Sequence, residues 1–281
     1  MRAASTSAAV TAFHALHREG CFVMANAWDV GSAILLASLG FRALGSTSSG
    51  YAFTRGLPDA LGVASLEDTL GHLRELVAAT PLPLSADFQD GHATEPEDVA
   101  RHVDRCAATG VAGLSIEDAT GDAAAPLHER ALAVERVRAA RVAIDRSGTG
   151  ALLTARCEAF LVGDPEPTRT VLDRLVAYAE AGADCLFAPR VSDPAVIAAI
   201  VKAVAPRAVN VLVTAPSPEL TISRLTDLGV RRISVGSGLA RVAWGAFRRA
   251  ARELAENGSF EGMVGSAPLD ELDALFRARM P

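Results

Sequence analysis

Three short apolar segments of the chain end on a charged side chain. They are PLPLSAD (81–87), VAGLSIE (111–117) and GALLTAR (150–156), which end on Asp87, Glu117 and Arg156. Burial of an unpaired charge is costly, so a charge at the end of a buried strand normally lies at the strand mouth beside a partner or a metal. A fourth charged residue, Asp59, follows another apolar segment within RGLPD. This pattern predicts one site that these strand ends share.

The residue types indicate the chemistry of that site. Three carboxylates around one point repel each other unless a cation lies among them. Oxygen ligands of this kind, without a histidine cluster, suit Mg²⁺ or Mn²⁺. An arginine beside such a cation would hold a carboxylate or phosphonate bidentately. The residues alone therefore predict a metal-assisted reaction on a small anionic oxo acid.

Eight apolar segments that alternate with Ala-rich amphipathic segments must position these side chains. Such alternation at roughly 30-residue spacing predicts a (β/α)8 barrel of the TIM type, in which the carboxyl ends of the strands converge on one mouth. A doubly wound open sheet is the second choice, and no GxGxxG or GxxxxGK[ST] motif supports it. The predicted strands are 21–25, 41–46, 82–87, 112–117, 150–155, 184–189, 210–215 and 232–237.

The predicted helices include 29–40, 95–110, 167–182 and 217–229, and several close on a glycine that directly precedes the next strand. After residue 257 a Gly/Ser-containing linker leads to a capped helix from Pro268 to Arg279. We therefore expect a barrel domain over 1–257 and a separate segment over 258–281. That segment must pack on its own barrel or on a neighbouring subunit.

Composition excludes several classes of function. The net charge is −6 without a basic stripe, so neither nucleic acid nor an anionic membrane is an expected partner. Lys202 is the only lysine and lies in a predicted helix, which argues against a Schiff-base aldolase. The four cysteines show no CxxC spacing, and neither a signal peptide nor an apolar run of about 20 residues is present. A cytoplasmic protein is expected.

The chain resembles the isocitrate lyase / phosphoenolpyruvate mutase superfamily, closest to its small bacterial mutase-like and methylisocitrate-lyase-like members. The resemblance runs from about residue 20 to 255. It implies a (β/α)8 barrel whose last helix is exchanged between subunits, in dimers that pair into tetramers. The matching stretches are NAWDVGSA (26–33), GFRALGSTSSGYA (40–52), GLPD (56–59), SADFQDG (85–91), GLSIED (113–118), TARCEAF (154–160) and AYAEAGADCLF (177–187).

The resemblance also implies roles for single residues, around a metal that chelates a 2-oxo acid or its enolate. Asp87 would be the direct Mg²⁺ ligand, and Asp59 and Glu117 would hold metal-bound waters. The substrate anion would be bound by Arg156 and by the backbone and hydroxyl donors of Thr47 and Ser48.

The chain departs from the family pattern at two places. Gln89 replaces an acidic residue, which removes one negative charge near the metal, and the segment 117–130 lacks the cysteine and the lysine that relatives carry there. The missing cysteine and lysine argue against orthodox isocitrate or methylisocitrate cleavage and against the mutase reaction. His92 is a candidate acid or base, because a histidine titrates near neutrality. His128 and Glu129 are further candidates, although a role at the start of a helix is expected for them.

The leading hypothesis is a Mg²⁺-dependent lyase or decarboxylase for a small 2-oxo or 2-hydroxy di- or tricarboxylate. Its candidate catalytic residues are His92, Arg156 and Glu117. The first alternative is cleavage of the P–C bond in phosphonopyruvate-like substrates. The second is a barrel that binds a metabolite without converting it.

Overall fold

The computed structural model describes residues 7–278 and contains a closed barrel of eight parallel strands. Each strand pairs with the next one along the chain, and β8 pairs with β1. All eight predicted strands are confirmed, and closure of the sheet excludes the doubly wound alternative. The strands are β1 (Phe22–Ala27), β2 (Leu44–Ser46), β3 (Leu84–Asp87), β4 (Gly113–Glu117), β5 (Leu152–Arg156), β6 (Cys185–Phe187), β7 (Ala208–Leu212) and β8 (Arg232–Ser234).

Helices connect the strands around the outside of the barrel. Three begin on a proline (Pro96, Pro167 and Pro194), whose missing N–H costs nothing in the first helical turn. The helices are α1 (Ala8–Arg18), α2 (Val30–Ser38), α3 (Ser48–Thr54), α4 (Leu66–Ala79), α5 (Pro96–Ala107), α6 (Arg130–Ser147), α7 (Ala159–Val162), α8 (Pro167–Glu180), α9 (Pro194–Val204), α10 (Ile222–Asp227), α11 (Gly238–Asn257) and α12 (Leu269–Arg277).

Helix α10 is shorter than the predicted helix over 217–229. The side chain of Thr221 accepts a hydrogen bond from the backbone N–H of Arg224, which fixes the start of the helix there. Pro218 lies in the preceding loop. At the other end, Gly229 takes a φ of 84°, which glycine adopts without steric cost and which stops the helix before β8.

The barrel wall and the barrel interior differ in polarity. Leu114, Leu153 and Ile233 lie in the main apolar core, together with apolar residues of the surrounding helices. The alternate positions Ser115, Thr154 and Ser234 point to the interior, because successive residues of a strand face opposite sides. A TIM barrel interior is usually filled by branched apolar residues. In this barrel, Ser115, Thr154 and Ser234 place hydroxyl groups in that interior.

Helix α1 closes the end of the barrel opposite the strand mouths. Phe13 is fully buried in a separate apolar cluster with Phe22 and Leu152. The His17 ring lies edge-on to both phenylalanine rings, at centroid distances of 4.5 and 5.0 Å. Access to the interior is therefore from the mouth at the carboxyl ends of the strands.

Helix α11 makes little contact with the barrel. Of its twenty residues only Ala240 is buried. Helix α12 packs on the same chain, where the Phe276 ring lies at Gly31 of α2. The predicted C-terminal helix is present up to Arg277, and Arg279 lies outside the described residues. Exchange of this segment between subunits stays a prediction.

Across residues 7–278, none of the helices has the length and apolar character needed to span a bilayer.

Candidate active site

The predicted convergence of strand-end charges is present at the mouth of the barrel. The β4–β5 register places Glu117 opposite Arg156, and Asp87 ends the strand next to β4. Arg156 Nη1 lies 3.0 Å from Glu117 Oε2 and 3.3 Å from Asp87 Oδ1. Arg156 Nε contacts the carboxylate of Glu158, which is completely buried. One guanidinium thus lies among three carboxylates.

The second oxygen of Asp87 is held by the start of α3. Asp87 Oδ2 accepts hydrogen bonds from the backbone N–H of Ser48 at 2.9 Å and from its hydroxyl at 2.8 Å. The Thr47 side chain accepts a hydrogen bond from Gly50 N–H at 3.2 Å and caps the same helix. Thr47 and Ser48 therefore lie where the sequence predicts. In this structure, however, the donors of Ser48 bind Asp87 and leave none for a substrate.

Asp59 belongs to the loop between α3 and α4 and lines the same cavity as Asp87 and Glu117. Partial burial raises the pKa of the Asp59 carboxyl, the charge of Asp87 raises it further, and Arg156 opposes both effects. The three predicted carboxylates thus face one space.

Negative charge at this site exceeds what Arg156 neutralises. Burial raises the pKa of Glu117 well above its usual value; Arg156 opposes this shift, while Glu158 and Asp87 add to it. Burial likewise raises the pKa of Glu158. Apart from the ion pair with Arg156, neither carboxylate oxygen of Glu158 has a hydrogen-bond partner among residues 7–278. A divalent cation bound among these carboxylates would reduce the repulsion between them.

The donor set fits Mg²⁺ or Mn²⁺ in its chemistry, because it consists of hard carboxylate oxygens. Within residues 7–278, no three Asp, Glu, His or Cys side chains are already spaced as a closed metal cage. Arg156 occupies the position between the carboxylates instead. Mg²⁺ commonly binds through one or two carboxylates and keeps several waters, so it does not require such a cage.

His92 is the predicted site residue that the structure does not bring to the mouth. Its ring packs edge-on against Phe88, at a centroid distance of 5.1 Å, and it does not line the cavity. The cause is the turn after β3, where Gln89 and His92 take φ values of 48° and 54°. A turn of this kind breaks the alternation of the strand. The geometry does not support His92 as the acid or base.

The same turn determines which of the neighbouring side chains line the cavity. Gln89 lines the cavity, so one uncharged group lies close to the three acids. Asp90 does not line the cavity, and its Oδ1 accepts a hydrogen bond from the His92 backbone N–H at 2.9 Å. Asp90 therefore does not replace the acidic group that Gln89 lacks. Arg136 of α6 anchors the turn, with Nη1 donating to Thr94 O at 2.7 Å.

A buried network behind the mouth fixes Glu158, and sequence reasoning missed it. Asp118 Oδ1 accepts a hydrogen bond from the Glu158 backbone N–H at 2.8 Å. Asp118 Oδ2 accepts from the Tyr178 hydroxyl at 2.6 Å and from Arg174 Nη1 at 3.1 Å. Arg174 and Tyr178 lie four residues apart on α8 and so share one face. The four-residue spacing of Arg174 and Tyr178 was the sequence feature that could have indicated this network.

The segment between β4 and α6 is a compact hairpin. Ala119 and Leu127 form an antiparallel bridge, and Thr120 N–H donates to Pro126 O at 3.1 Å. Arg174 Nη2 donates to His128 O at 2.8 Å and ties the end of the hairpin to the buried network. His128 does not line the cavity, whereas residues 121–123 at the hairpin tip do. The hairpin forms one wall of the mouth.

The cavity bounded by these groups has a volume of about 700 Å³. This is the size range of small-molecule sites in proteins. It reaches from the hairpin tip and the start of α11 down into the barrel, where Ser85, Ser115 and Asn210 line it. The cavity therefore extends well below the charged mouth.

A buried histidine beside the site makes stability depend on pH. His72 stacks on Tyr51 at a centroid distance of 4.1 Å, and burial lowers the pKa of His72 to about 4. In the unfolded chain its pKa is about 6.5, so protons bind the unfolded state preferentially.

The free energy of unfolding should be highest above pH 6.5 and should fall between pH 6.5 and 4. Chemical denaturation across this range should show a smaller decrease for His72→Phe, and an equal decrease would contradict the assignment.

The comparison with known proteins assigns the family. A family model described as phosphoenolpyruvate phosphomutase matches residues 13–255. The chain belongs to the phosphoenolpyruvate phosphomutase family. This confirms the resemblance that the motifs at the strand ends indicate, and the family match contains all of the site residues above.

Relatives of this member of the phosphoenolpyruvate phosphomutase family catalyse different reactions. The 2-methylisocitrate lyase of Salmonella typhimurium is 33% identical over 64% of this chain and 61% of that lyase. The oxaloacetate decarboxylase of Rhodopseudomonas palustris is 28% identical over 94% of this chain and 91% of that enzyme. A crystal structure of a Burkholderia cenocepacia protein assigned as a lyase or mutase has a TM-score of 0.91 and 43% identity, covering 95% of both chains. The family alone therefore does not name the substrate.

Proposed function

We propose that this protein is a Mg²⁺-dependent enzyme that cleaves a C–C bond in a small 2-oxo or 2-hydroxy di- or tricarboxylate. The observation that carries the proposal is the group of carboxylates around Arg156 at the mouth of the cavity. The named activities of the Salmonella and Rhodopseudomonas relatives support it, since both act on C–C bonds of carboxylates.

Asp87 would hold the metal directly, and Asp59 and Glu117 would hold it through water. Mn²⁺ fits the same oxygen donors. The bound cation would stabilise negative charge on the oxygen of carbon 2 during cleavage of the C–C bond. Ser48 would orient Asp87, because two of its donors fix one carboxylate oxygen.

Arg156 would bind a carboxylate of the substrate. Its Nη1 and Nε contact the carboxylates of Asp87, Glu117 and Glu158. Its Nη2 makes no hydrogen bond to a residue in the described range 7–278. Nη2 therefore remains available for an anion that enters the cavity. Thr47 would contribute to the same carboxylate from the start of α3.

Glu158 is the group that best fits a role in moving the proton. It lines the cavity, and burial raises the pKa of its carboxyl although the paired Arg156 opposes this shift. Apart from that ion pair, its two oxygens have no hydrogen-bond partner among residues 7–278. A carboxylic acid that keeps its proton closer to neutrality is better matched to general acid–base catalysis. Glu158 thus takes the place that the sequence assigns to His92.

A substrate panel with Mg²⁺ tests the proposal. The panel contains oxaloacetate, malate, 2-methylisocitrate and phosphonopyruvate, assayed for carbon dioxide, 2-oxo acid products and phosphate. Turnover of a di- or tricarboxylate that is lost with chelator would support it. Release of phosphate from phosphonopyruvate would favour the P–C alternative. Mg²⁺-dependent binding of oxalate without any turnover would favour the binding barrel.

We infer further that α11 and α12 form the interface of a homo-oligomer, either a dimer or a tetramer in which two dimers pair. Val242, Trp244 and Phe247 of α11 are 67%, 44% and 65% exposed. Phe260 and Val264 in the following segment are 68% and 88% exposed. An apolar surface of this extent is typical of a protein–protein interface. A second copy of the chain, with its own α11, offers a matching surface.

Phe247→Glu is expected to shift the protein towards the monomer, because a charge would be buried without a partner in the interface. Light scattering after gel filtration measures the mass. Val142→Glu is the control, since Val142 is also exposed but lies on α6 away from this surface. A monomeric wild type, or an unchanged mass for Phe247→Glu, would contradict the interface.

We also propose that the enzyme acts in the cytoplasm. All four cysteines are free, and three of them are fully buried. Free thiols without a disulfide framework suit a reducing compartment.

A further inference from the structure

An arginine lies buried in the barrel interior without a carboxylate partner. Arg232, at the start of β8, is 2% exposed. It forms no ion pair with any residue between 7 and 278, unlike Arg156 at the mouth. A buried charge of this kind is expensive unless something compensates it. The three neutral groups that it contacts do not supply the opposite charge.

Those contacts place the guanidinium across the barrel. Arg232 Nε donates to Asn210 Oδ1 at 2.9 Å, and Nη2 donates to Thr154 Oγ1 at 3.0 Å. Nη1 lies 3.4 Å from His17 Nε2, at the closed end of the barrel. Thr154 is on β5, on the other side of the interior from β8. A guanidinium has five N–H donors, so two of them have no acceptor among the described residues.

Arg232 lines the same cavity as the charged mouth. Its partner Thr154 lies two residues before Arg156 on β5, which corresponds to about 7 Å along the strand. Ser115 is the register partner of Thr154, and Ser85 and Ser115 each lie two residues before a strand-end acid and line the cavity below the mouth. Ser234 joins this level, and its hydroxyl accepts a hydrogen bond from Asn210 Nδ2 at 2.9 Å. The path from the mouth to Arg232 is therefore lined by hydroxyl groups.

We propose that Arg232 and these serines form a second anion subsite, which binds the distal carboxylate of a dicarboxylate substrate. This inference rests on the proposed function, in which the mouth holds the 2-oxo or 2-hydroxy carboxylate end. The spacing suits a four-carbon acid with one charged group at each end. Arg156 is already surrounded by acids, whereas Arg232 supplies a positive charge that no residue between 7 and 278 neutralises.

The subsite also bears on the type of reaction. A carboxylate held by charge-assisted hydrogen bonds is stabilised as an anion and is not released readily as neutral carbon dioxide. In a 2-hydroxy substrate, a base such as Glu158 would take the hydroxyl proton, and the C2=O bond would form as the bond between carbons 2 and 3 breaks. The electron pair would remain on carbon 3, delocalised into the distal carboxylate, until carbon 3 takes up a proton. Arg232 would stabilise that developing charge. The subsite thus favours a lyase that keeps the distal carboxylate over a decarboxylase.

Calorimetry with L-malate and its uncharged 4-amide, both with Mg²⁺, tests the subsite. The two ligands share the 2-hydroxy carboxylate end and differ in the charge of the distal group. We expect the wild type to bind malate about tenfold or more tightly than the amide. Arg232→Gln should bring the two Kd values within about twofold of each other and leave the Kd of the amide unchanged.

Arg231→Gln is the matched control. Arg231 is the neighbouring arginine, and its Nη1 donates to Gly20 O at the protein surface, so the preference for malate should persist. Equal affinity of the wild type for malate and the amide would overturn the subsite while leaving the proposed function intact. That comparison needs no variant and holds even where Arg232→Gln does not fold. Absence of Mg²⁺-dependent binding of either ligand would overturn the proposed function and the subsite together.

Discussion

Asp87→Ala is expected to lower kcat/KM by roughly 10³-fold and to abolish Mg²⁺-dependent ligand binding. Loss of one group that stabilises developing charge typically lowers kcat by 10²–10³-fold. Asp87 also holds Ser48 and Arg156 in place. Steady-state kinetics over a Mg²⁺ titration, on the substrate that the panel identifies, measures the effect. Calorimetry of oxalate binding provides a second readout that needs no substrate.

Asp90→Asn is the control for Asp87→Ala. Asp90 lies three residues further on but does not line the cavity, and asparagine can keep the hydrogen bond to the His92 backbone. We expect kcat/KM within a fewfold of the wild type. Similar losses in both variants would show that general charge near β3, rather than the position of Asp87, governs activity.

Asp118→Ala is expected to lower the free energy of unfolding by about 3–5 kcal/mol. Its removal leaves the Tyr178 hydroxyl without its acceptor and the buried guanidinium of Arg174 without its carboxylate partner. The Glu158 backbone N–H loses its acceptor as well, so the Glu158 side chain should also shift at the mouth. Urea denaturation measures the stability change, and oxalate affinity measures the effect on the site.

Asp173→Ala provides the comparison for a surface ion pair. Asp173 pairs with Arg130, and the side chains are 55% and 50% exposed. Exposed pairs of this kind contribute less than about 1 kcal/mol. If Asp118→Ala and Asp173→Ala denature at the same urea concentration, the buried network does not stabilise the fold as proposed.

The barrel could be predicted from the sequence because its signals are local. Strand segments ending on Asp87, Glu117 and Arg156 alternate with helices that start at prolines and stop at glycines such as Gly229. Parallel strands in a closed barrel bring these ends together whatever the details of the loops. The fold and the three converging charges therefore followed from pattern alone, and the family match supports the same conclusion.

The position of His92 could not be predicted in this way. Strand alternation cannot be extended into a turn, and the left-handed backbone at Gln89 and His92 moves the histidine away from the mouth. The Asp118 network and the interior position of Arg232 were missed for another reason. Both depend on contacts between residues far apart in sequence, and a single arginine in a strand pattern gives no sign of its partners.

Oxalate binding, measured by calorimetry with Mg²⁺ and with chelator, tests the central claim most directly. Oxalate resembles the enolate of a 2-oxo acid and needs no turnover. The metal-and-carboxylate site predicts one oxalate per chain with Mg²⁺, none with chelator, and none in Asp87→Ala. Equal binding with chelator, or no binding with Mg²⁺, would contradict it.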